Sequence, residues 1–197
     1  MATMHGPRFK QSRSLGLNVC GHPKAMKRAK PGTSRADKKL STYGVQLLEK
    51  QRLRAYYGVL EKQFKRYVLM AQNKPGQTGE ALVAILETRL DNLVYRMGFA
   101  TSIRQARQMV VHGHITLNGK KVDIPSHPVT ATDVVALSEK SRSIALFTDN
   151  YVQNTLTSYP YLSKDADNFS AMLSRMPERQ EIPIDINDHL IVEFYSR

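Results

Sequence analysis

A short polar helix that leads into a tight hairpin, within Met97 to Val129, is the feature that most restricts how this chain folds. Ser102 is followed three residues later by Gln105, the spacing of a capping box, in which each side chain bonds the backbone amide of the other residue. The sequence therefore predicts a helix that begins at Ile103 and runs to about His112.

The hairpin signal follows directly after this helix. Gly113 can adopt the left-handed conformation that ends a helix. Asn118-Gly119 is the strongest two-residue hairpin signal, and it predicts that Ile115 to Leu117 pairs with Lys121 to Asp123. Lys120 and Lys121 would then lie just after the turn, where their ammonium groups can reach a phosphate.

The predicted helix has one apolar and one polar face. At about 100° per residue, two arcs form around its axis. The apolar arc comprises Ile103, Ala106, Met109 and Val110, whereas the polar arc comprises Arg104, Gln108 and His112, with Arg107 at its border. A helix and a hairpin that present donors in this way suit a nucleic acid, although a solvated surface is the commoner reason for such charges.

The charge of the whole chain favours the nucleic-acid interpretation. The chain has 197 residues, and 29 Lys and Arg against 17 Asp and Glu give a net charge of +12. Residues 1 to 75 carry 17 of these cations and only Asp37, Glu49 and Glu61, whereas residues 141 to 197 have more acids than cations. An excess of this size points to a polyanionic partner.

Several other classes of protein are disfavoured by the sequence. No run of roughly 18 to 20 apolar residues is present, and the basic front mixes Gly, Pro and Ser among its cations, unlike a membrane-binding helix. A single cysteine, Cys20, excludes an internal disulfide. Cys20 and His22 have no further ligands at metal-binding spacing, so we expect no metal and no cofactor. These features predict a soluble intracellular protein with no membrane partner.

Hydrophobic periodicity divides the rest of the chain into segments. We expect 1 to 42 to be extended or irregular until a partner neutralises it, because Gly and Pro interrupt it repeatedly. Helices are predicted from Tyr43 to about Tyr57 and from Leu60, followed by a loop from Asn73 to Gly76. The clearest buried stripe comprises Leu82, Ile85, Leu86, Leu90, Leu93, Val94 and Met97.

Strands and turns are predicted after the hairpin. Pro125 and Pro128 bracket a turn, and Val134 to Leu137 reads as a short strand that could close a small sheet. Ser141 to Ser174 has an ambiguous composition and receives no assignment. Leu190 to Phe194 is rich in residues that favour strands, so we expect it to pair as a strand or to pack on another element.

Three blocks of sequence carry a resemblance to a known family. Met97-Gly98-Phe99-Ala100, Arg104 to Gln108, His112 to Ile115, Asn118 to Lys120 and Ile124 to Ser126 resemble the S4 RNA-binding domain. Tyr43-Gly44, Glu49 to Arg54, Tyr57-Gly58 and Gln63-Phe64 resemble the helical part of the S4 family of small-subunit ribosomal proteins, and Pro177 to Arg179 with Asp185 to Glu193 resemble its C-terminal end.

The resemblance implies an α+β fold in which a helical domain is interrupted by an S4 domain. It places a basic irregular extension at 1–42, the helical domain at 43–87 and 172–197, and the inserted RNA-binding domain at 88–171. It also implies primary binding to the 5′ domain of 16S-type small-subunit rRNA at a multi-helix junction early in assembly. Further implied partners are ribosomal protein S5 and mRNA at the entrance channel, with an effect on translational accuracy.

Two departures from the family pattern qualify the resemblance. Many relatives hold zinc through four N-terminal cysteines. With Cys20 alone, this chain resembles the metal-free branch, and its front is expected to be ordered by RNA instead. Where relatives often have a Pro-x-Trp-Leu motif, this chain has Pro160-Tyr161-Leu162 and no tryptophan.

The candidate RNA-binding residues follow from the charge pattern and the resemblance together. Folded RNA is recognised mainly through phosphates and 2′-hydroxyls, which favours Arg, Lys and small polar donors. The predicted set is Arg8, Lys10, Arg13, Arg35, Tyr43, Lys50, Arg52, Arg54, Arg104, Arg107, Gln108, His112, His114, Lys120 and Lys121.

Two alternative functions remain open at this point. Arg89-Leu90-Asp91 resembles the signature of pseudouridine synthases, some of which carry an S4 domain, but the chain is too short for their catalytic domain, and we expect Asp91 to be a helix-surface or cap residue. Some relatives also repress translation of their own mRNA. The expected location is the cytoplasmic ribosome, and an organellar ribosome is the alternative.

Overall fold

A computed structural model describes residues 6–153 and 159–196 of the chain. The described chain forms two compact units. The first comprises residues 1–83 together with 184–197, and the second comprises residues 84–183. In this division the returning C-terminal segment begins at 184, whereas the sequence-based boundary of 172 falls within a strand of the second unit.

The first unit is helical. Its elements are α1 (Arg8–Leu15), α2 (Thr42–Tyr56), α3 (Glu61–Gln72), the first part of α4 (Thr78–Glu87), and α8 (Asp188–Tyr195). Ser41 caps α2 by accepting a hydrogen bond from the Gly44 amide at 3.3 Å, and Gly58 ends the turn after α2 with a φ of 61°. The helices predicted from Tyr43 and from Leu60, and the loop between α3 and α4, are therefore confirmed.

The basic front of the chain is more ordered than its composition predicts. Instead of an irregular extension, residues 8–15 form α1, which ends at Gly16 in the left-handed conformation. Leu15 and Val19 pack with Leu48 of α2 in a small apolar cluster. The prediction of an irregular segment was wrong for residues 8–15 and is confirmed for residues 17–41, which contain no helix or strand. A few apolar side chains, widely spaced along the sequence, anchor this part of the chain on α2.

The C-terminal element is a helix, so the strand expected at Leu190 to Phe194 was wrong, whereas the expectation that this segment packs on another element is confirmed. Asn187 caps α8, since its side-chain oxygen accepts from the His189 amide at 3.1 Å. Ile191 is fully buried, and α8 packs on α2, where Gln46 Nε2 donates to Glu193 Oε2 at 2.9 Å. The strand propensity of a residue depends on its context. Here the capped N-terminus and the burial of one apolar face stabilise the helix.

The predicted buried stripe is confirmed, but it is divided between two helices. Leu82 and Leu86 lie in α4, and Leu90, Leu93, Val94 and Met97 lie in or just after α5 (Leu90–Arg96); all six are fully buried, and Ile85 is half-buried. The helical conformation is interrupted at Thr88 and Arg89, where the backbone runs antiparallel to residues 127–129. The Leu90 amide donates to the His127 carbonyl, and the Val129 amide donates to the Thr88 carbonyl.

The second unit is built on a small antiparallel sheet. Its strands are β1 (Ile115–Leu117), β2 (Lys120–Lys121), β3 (Val134–Leu137), β4 (Leu162–Asp165) and β5 (Ser170–Leu173), in the order β2-β1-β3-β5-β4. The predicted strand β3 is confirmed, and so is the α+β fold class. The segment left unassigned from the sequence contributes β4, β5 and the helix α7 (Ala145–Gln153).

The core of the second unit lies between this sheet and the helices α5, α6 (Ile103–Val111) and α7. Phe99 stacks on Tyr151 with ring centroids 4.5 Å apart and planes inclined by 15°. A buried polar network lies beside this core, in which Arg96 Nε donates to Glu87 Oε1 at 2.5 Å and the Tyr161 hydroxyl donates to the same oxygen at 2.9 Å. Burial and the Glu87 charge both raise the pKa of Tyr161.

Candidate nucleic-acid interface

The helix α6 presents the predicted polar face to solvent. It begins at Ile103 as predicted, with Ser102 Oγ accepting from the Gln105 amide at 3.3 Å. Ala106, Met109 and Val110 are buried against the core, whereas Arg104, Gln108 and His112 are exposed. Local sequence therefore fixes both where the helix begins and which side chains face outwards.

One half of the predicted capping box was wrong. The Gln105 side chain does not bond the Ser102 amide. Its Oε1 accepts instead from the Thr101 amide at 2.9 Å and from the Thr101 hydroxyl at 2.8 Å. Thr101 offers two donors one residue before Ser102, and the Gln105 side chain bonds these instead of the Ser102 amide. The first turn of α6 is therefore still stabilised by the Gln105 side chain.

The hairpin turn is confirmed, but its second strand starts earlier than predicted. Asn118 and Gly119 have φ angles of 50° and 77°, both positive as a type I′ turn requires. Thr116 is paired with Lys121 and Leu117 with Lys120, so the strand is Lys120–Lys121 rather than Lys121 to Asp123. Because the turn consists of Asn118 and Gly119 alone, the next residue, Lys120, already pairs with Leu117.

Lys121 lies against the C-terminal end of α6. Gly113 has a φ of 75°, and a Cβ built there would overlap Cε and Nζ of Lys121. The ammonium group thus lies beside the last turn of the helix, where the macrodipole favours a cation. Lys120, which follows the turn, is exposed on the adjacent position of the strand.

His114 is half-buried and serves the packing of this end of the sheet. Its Nδ1 lies 2.9 Å from the Ser141 hydroxyl, and its ring lies 4.9 Å from that of Phe147. Burial, together with the nearby charges of His112 and Lys121, lowers the pKa of His114 below its ordinary value. The neutral imidazole is therefore favoured at this position.

Arg107 is held by a buried carboxylate. Its Nε and Nη2 donate to Asp91 Oδ2 at 3.0 and 2.7 Å, while Arg89 donates to the same carboxylate from the other side. Asp91 is fully buried, so its prediction as a helix-surface or cap residue was wrong. A carboxylate whose two oxygens accept hydrogen bonds from two guanidinium groups is an ion-pair centre.

The three cations of α2 that the sequence singled out are directed towards carboxylates of the first unit. Lys50 Nζ and Arg54 Nη1 donate to Glu61 at 2.8 and 2.9 Å, and Arg52 Nη1 donates to Glu49 at 2.6 Å. The Lys50 side chain is only 7% exposed and also lies over the ring of Phe194. These contacts are structural, and an RNA contact by any of the three stays a prediction.

The remaining candidates of the first unit lie nearer to solvent. Tyr43 is half exposed, and its ring lies 5.5 Å from that of Phe194. Lys10 and Arg35 are exposed, whereas Arg8 and Arg13 are half-buried on α1. α1 thus carries Arg8, Lys10 and Arg13 on one ordered helix, rather than along a loose chain.

Sequence reasoning missed the exposed cations of α3. Lys62, Lys65 and Arg66 all face solvent, opposite the buried Phe64 and Tyr67. The helical spacing of the apolar residues contained this signal, because cations between the buried positions must lie on the outer face.

The part of the chain that the structure describes offers neither a metal cluster nor a membrane-spanning helix. There, no group of three or more His, Cys, Asp or Glu side chains is arranged to hold a metal ion. Cys20 Sγ donates to Asn18 Oδ1 at 3.5 Å. None of the described helices is both long and apolar enough to cross a bilayer.

Known proteins match this chain from end to end. Residues 3–87 match the ribosomal protein S4/S9 N-terminal domain, and residues 88–135 match the S4 domain. The chain is 64% identical to the small ribosomal subunit protein uS4 of Finegoldia magna, 50% to uS4B of Clostridium acetobutylicum and 46% to uS4 of Bacillus cytotoxicus, each over the full length of both chains. The helical first unit, the S4-type helix and hairpin and these similarities agree, and the chain belongs to the uS4 family of small ribosomal subunit proteins.

Proposed function

We propose that this chain binds folded small-subunit rRNA through the outer face of α6 and the hairpin. The observation that carries the proposal is that Arg104, Gln108, His112 and Lys120 are all exposed on one helix and the strand after it. The uS4 family consists of structural ribosomal proteins and not of enzymes. A solvent-exposed face of hydrogen-bond donors fits that role.

Recognition on this face depends on shape and charge. A-form RNA hides its base edges in a deep groove, so contacts go mainly to phosphates and 2′-hydroxyls. Arg104 suits a forked phosphate contact and Lys120 acts as a point charge, while Gln108 can donate to a hydroxyl. Lys121 extends the positive face at the end of α6, and His112 is exposed beside it.

The family membership supports a more specific role. The target is the 5′ domain of 16S-type rRNA, where binding early in assembly nucleates the body of the subunit. Ribosomal protein S5 and mRNA near the entrance channel are the further partners, through which the chain contributes to translational accuracy on the cytoplasmic ribosome. The net charge of +12 supports the RNA target.

Binding measured over a series of salt concentrations tests the proposal. The full chain should bind the 5′ domain more tightly than an unrelated folded RNA, with a log–log salt slope of about −5 to −9 if six to ten phosphates are contacted. The variant Arg104→Gln/Lys120→Gln should reduce the magnitude of that slope by about 1.8, the value for two phosphate contacts.

A matched control separates contact from overall charge. Lys74→Gln/Lys140→Gln removes the same charge from two exposed positions outside the proposed face, and it should leave the slope as in the parent chain. Equal affinity for both RNAs at every salt concentration, or a parent-like slope in Arg104→Gln/Lys120→Gln, would refute the proposed function.

A further inference from the structure

We infer that the outer face of α3 is a second phosphate-binding surface, formed by Lys62, Lys65 and Arg66 and here named the α3 face. The inference rests on the proposed function, because it assumes that the chain binds folded RNA. It assigns the RNA contact of the first unit to cations that lie on a different helix from the Lys50, Arg52 and Arg54 predicted from the sequence.

The geometry of α3 brings the three cations together. Phe64, Tyr67, Val68 and Ala71 are buried and define the inner side of the helix. Lys62 and Arg66 are four residues apart, and Lys62 and Lys65 are three apart, so the three side chains are neighbours on the opposite side. All three are exposed, which leaves their charged groups accessible to a large polyanion.

Like charges at this spacing repel one another, and the helix carries one acid that could relieve the repulsion. Glu61 is four residues before Lys65, the arrangement in which a Glu–Lys pair stabilises a helix best. The Glu61 carboxylate is directed elsewhere: Oε1 accepts from Lys50 Nζ at 2.8 Å and from the Tyr195 hydroxyl at 2.8 Å, and Oε2 accepts from Arg54 at 2.9 Å. Both of its oxygens are therefore committed.

These contacts leave the α3 face positively charged. Burial alone would raise the pKa of Glu61, but the hydrogen bonds from Lys50 and Tyr195 hold it below its ordinary value, so the carboxylate stays ionised and paired. Within 6–153 and 159–196, none of Lys62, Lys65 and Arg66 forms an ion pair or a side-chain hydrogen bond. The same acid thus neutralises the α2 cations and leaves those of α3 without a counter-charge.

A phosphate backbone is the partner that this arrangement fits. Three cations on neighbouring turns of one helix present a row of charge, and a nucleic-acid strand offers a row of phosphates. Successive phosphates of an RNA backbone can pair with successive cations of the α3 face, and each such contact releases counterions condensed on the RNA.

Neutralising the α3 face in the full chain tests the inference. Lys62→Gln/Arg66→Gln preserves helix propensity and should reduce the magnitude of the salt slope for 5′-domain rRNA by about 1.8, as two lost phosphate contacts require. The charge-retaining Lys62→Arg/Arg66→Lys should keep the parent slope. Lys74→Gln/Lys140→Gln, with the same loss of net charge, should keep it as well.

A second measurement locates the contact directly. Acylation of lysines, read by mass spectrometry, should be slowed at Lys62 and Lys65 when rRNA is bound, with Lys74 as an exposed reference. A parent-like slope in Lys62→Gln/Arg66→Gln, or unchanged acylation of both lysines in the complex, would overturn the inference. If Arg104→Gln/Lys120→Gln reduces the magnitude of the salt slope in the same assay while Lys62→Gln/Arg66→Gln does not, the inference about the α3 face is wrong and the proposed function still holds.

Discussion

Replacing Asp91 with asparagine should destabilise the second unit by about 3 to 5 kcal/mol, the usual cost of removing one partner from a buried ion pair. The Asp91 side chain is 1% exposed, and that of Arg89 is 6% exposed. Arg89 donates to the two carboxylate oxygens at 3.0 and 2.8 Å, and Arg107 donates twice to Oδ2 at 3.0 and 2.7 Å.

The magnitude follows from what the substitution leaves behind. Asparagine has nearly the same volume as aspartate, so no cavity opens. It keeps one acceptor oxygen, replaces the other with a donor that faces a guanidinium, and removes the negative charge that Arg89 and Arg107 share. The Arg89 guanidinium, 6% exposed, then loses the carboxylate charge that it contacts through two nitrogens, whereas Arg107, 16% exposed, can turn towards water.

Unfolding in urea, followed by circular dichroism and by amide exchange in strands β1 to β5, measures the effect. With an m-value of about 2 kcal/mol per molar urea, a loss of 4 kcal/mol lowers the midpoint by about 2 M. Arg107→Gln is the matched comparison and should cost less, about 1.5 to 3 kcal/mol for a hydrogen bond to a charged group.

Two results would refute this reasoning. A loss of less than about 1 kcal/mol in Asp91→Asn would mean that water or a rearranged side chain compensates Arg89, contrary to its burial. A larger loss in Arg107→Gln than in Asp91→Asn would mean that Arg107 stabilises the unit through contacts other than the carboxylate.

Three further substitutions test separate parts of the structure. Gly16→Ala should destabilise the first unit by more than the control Gly32→Ala. Both glycines have a positive φ, which costs an alanine about 1 to 2 kcal/mol, but only at Gly16 would the new Cβ lie 2.8 Å from a neighbouring alanine side chain. Equal unfolding midpoints for the two variants would contradict this. Because the pKa of His114 is lowered in the folded state, unfolding takes up a proton, so stability should fall as the pH drops through the ordinary histidine range, and His114→Asn should flatten that part of the stability profile. Tyr161→Phe removes a buried hydrogen bond to the Glu87 carboxylate and should lower the free energy of unfolding by about 1.5 to 3 kcal/mol in thermal or urea denaturation; an unchanged stability would show that the hydroxyl contributes nothing.

The local features of the candidate interface could be predicted from the sequence because their causes lie within a few residues. Ser102 fixes the start of α6, and Asn118-Gly119 adopts the two positive φ angles of the hairpin. The spacing of Ala106 and Met109 sets which side is buried. Such signals require no knowledge of the rest of the fold.

The roles of the α2 cations could not be predicted, because their partners are set by tertiary contacts. Glu61 is 11 residues from Lys50, and it also accepts a hydrogen bond from Tyr195, which is 134 residues away. In sequence, a lysine directed towards a carboxylate looks the same as one directed towards RNA. The wrong strand at the C-terminus has the same origin, because burial of Ile191 on α2 outweighs local strand propensity.

The packing of α8 on α2 also constrains the order in which the chain folds. Residues 84–183 are continuous in sequence, so the second unit can form as soon as they have left the ribosome that synthesises them. The first unit cannot be completed so early, because Gln46 of α2 bonds Glu193 and Glu61 of α3 accepts from Tyr195, and both partners are near the C-terminal end of the sequence. The first unit is thus completed late although most of it is made early, and the sides of α2 and α3 that contact α8 stay exposed during synthesis until Asp188–Tyr195 has been made.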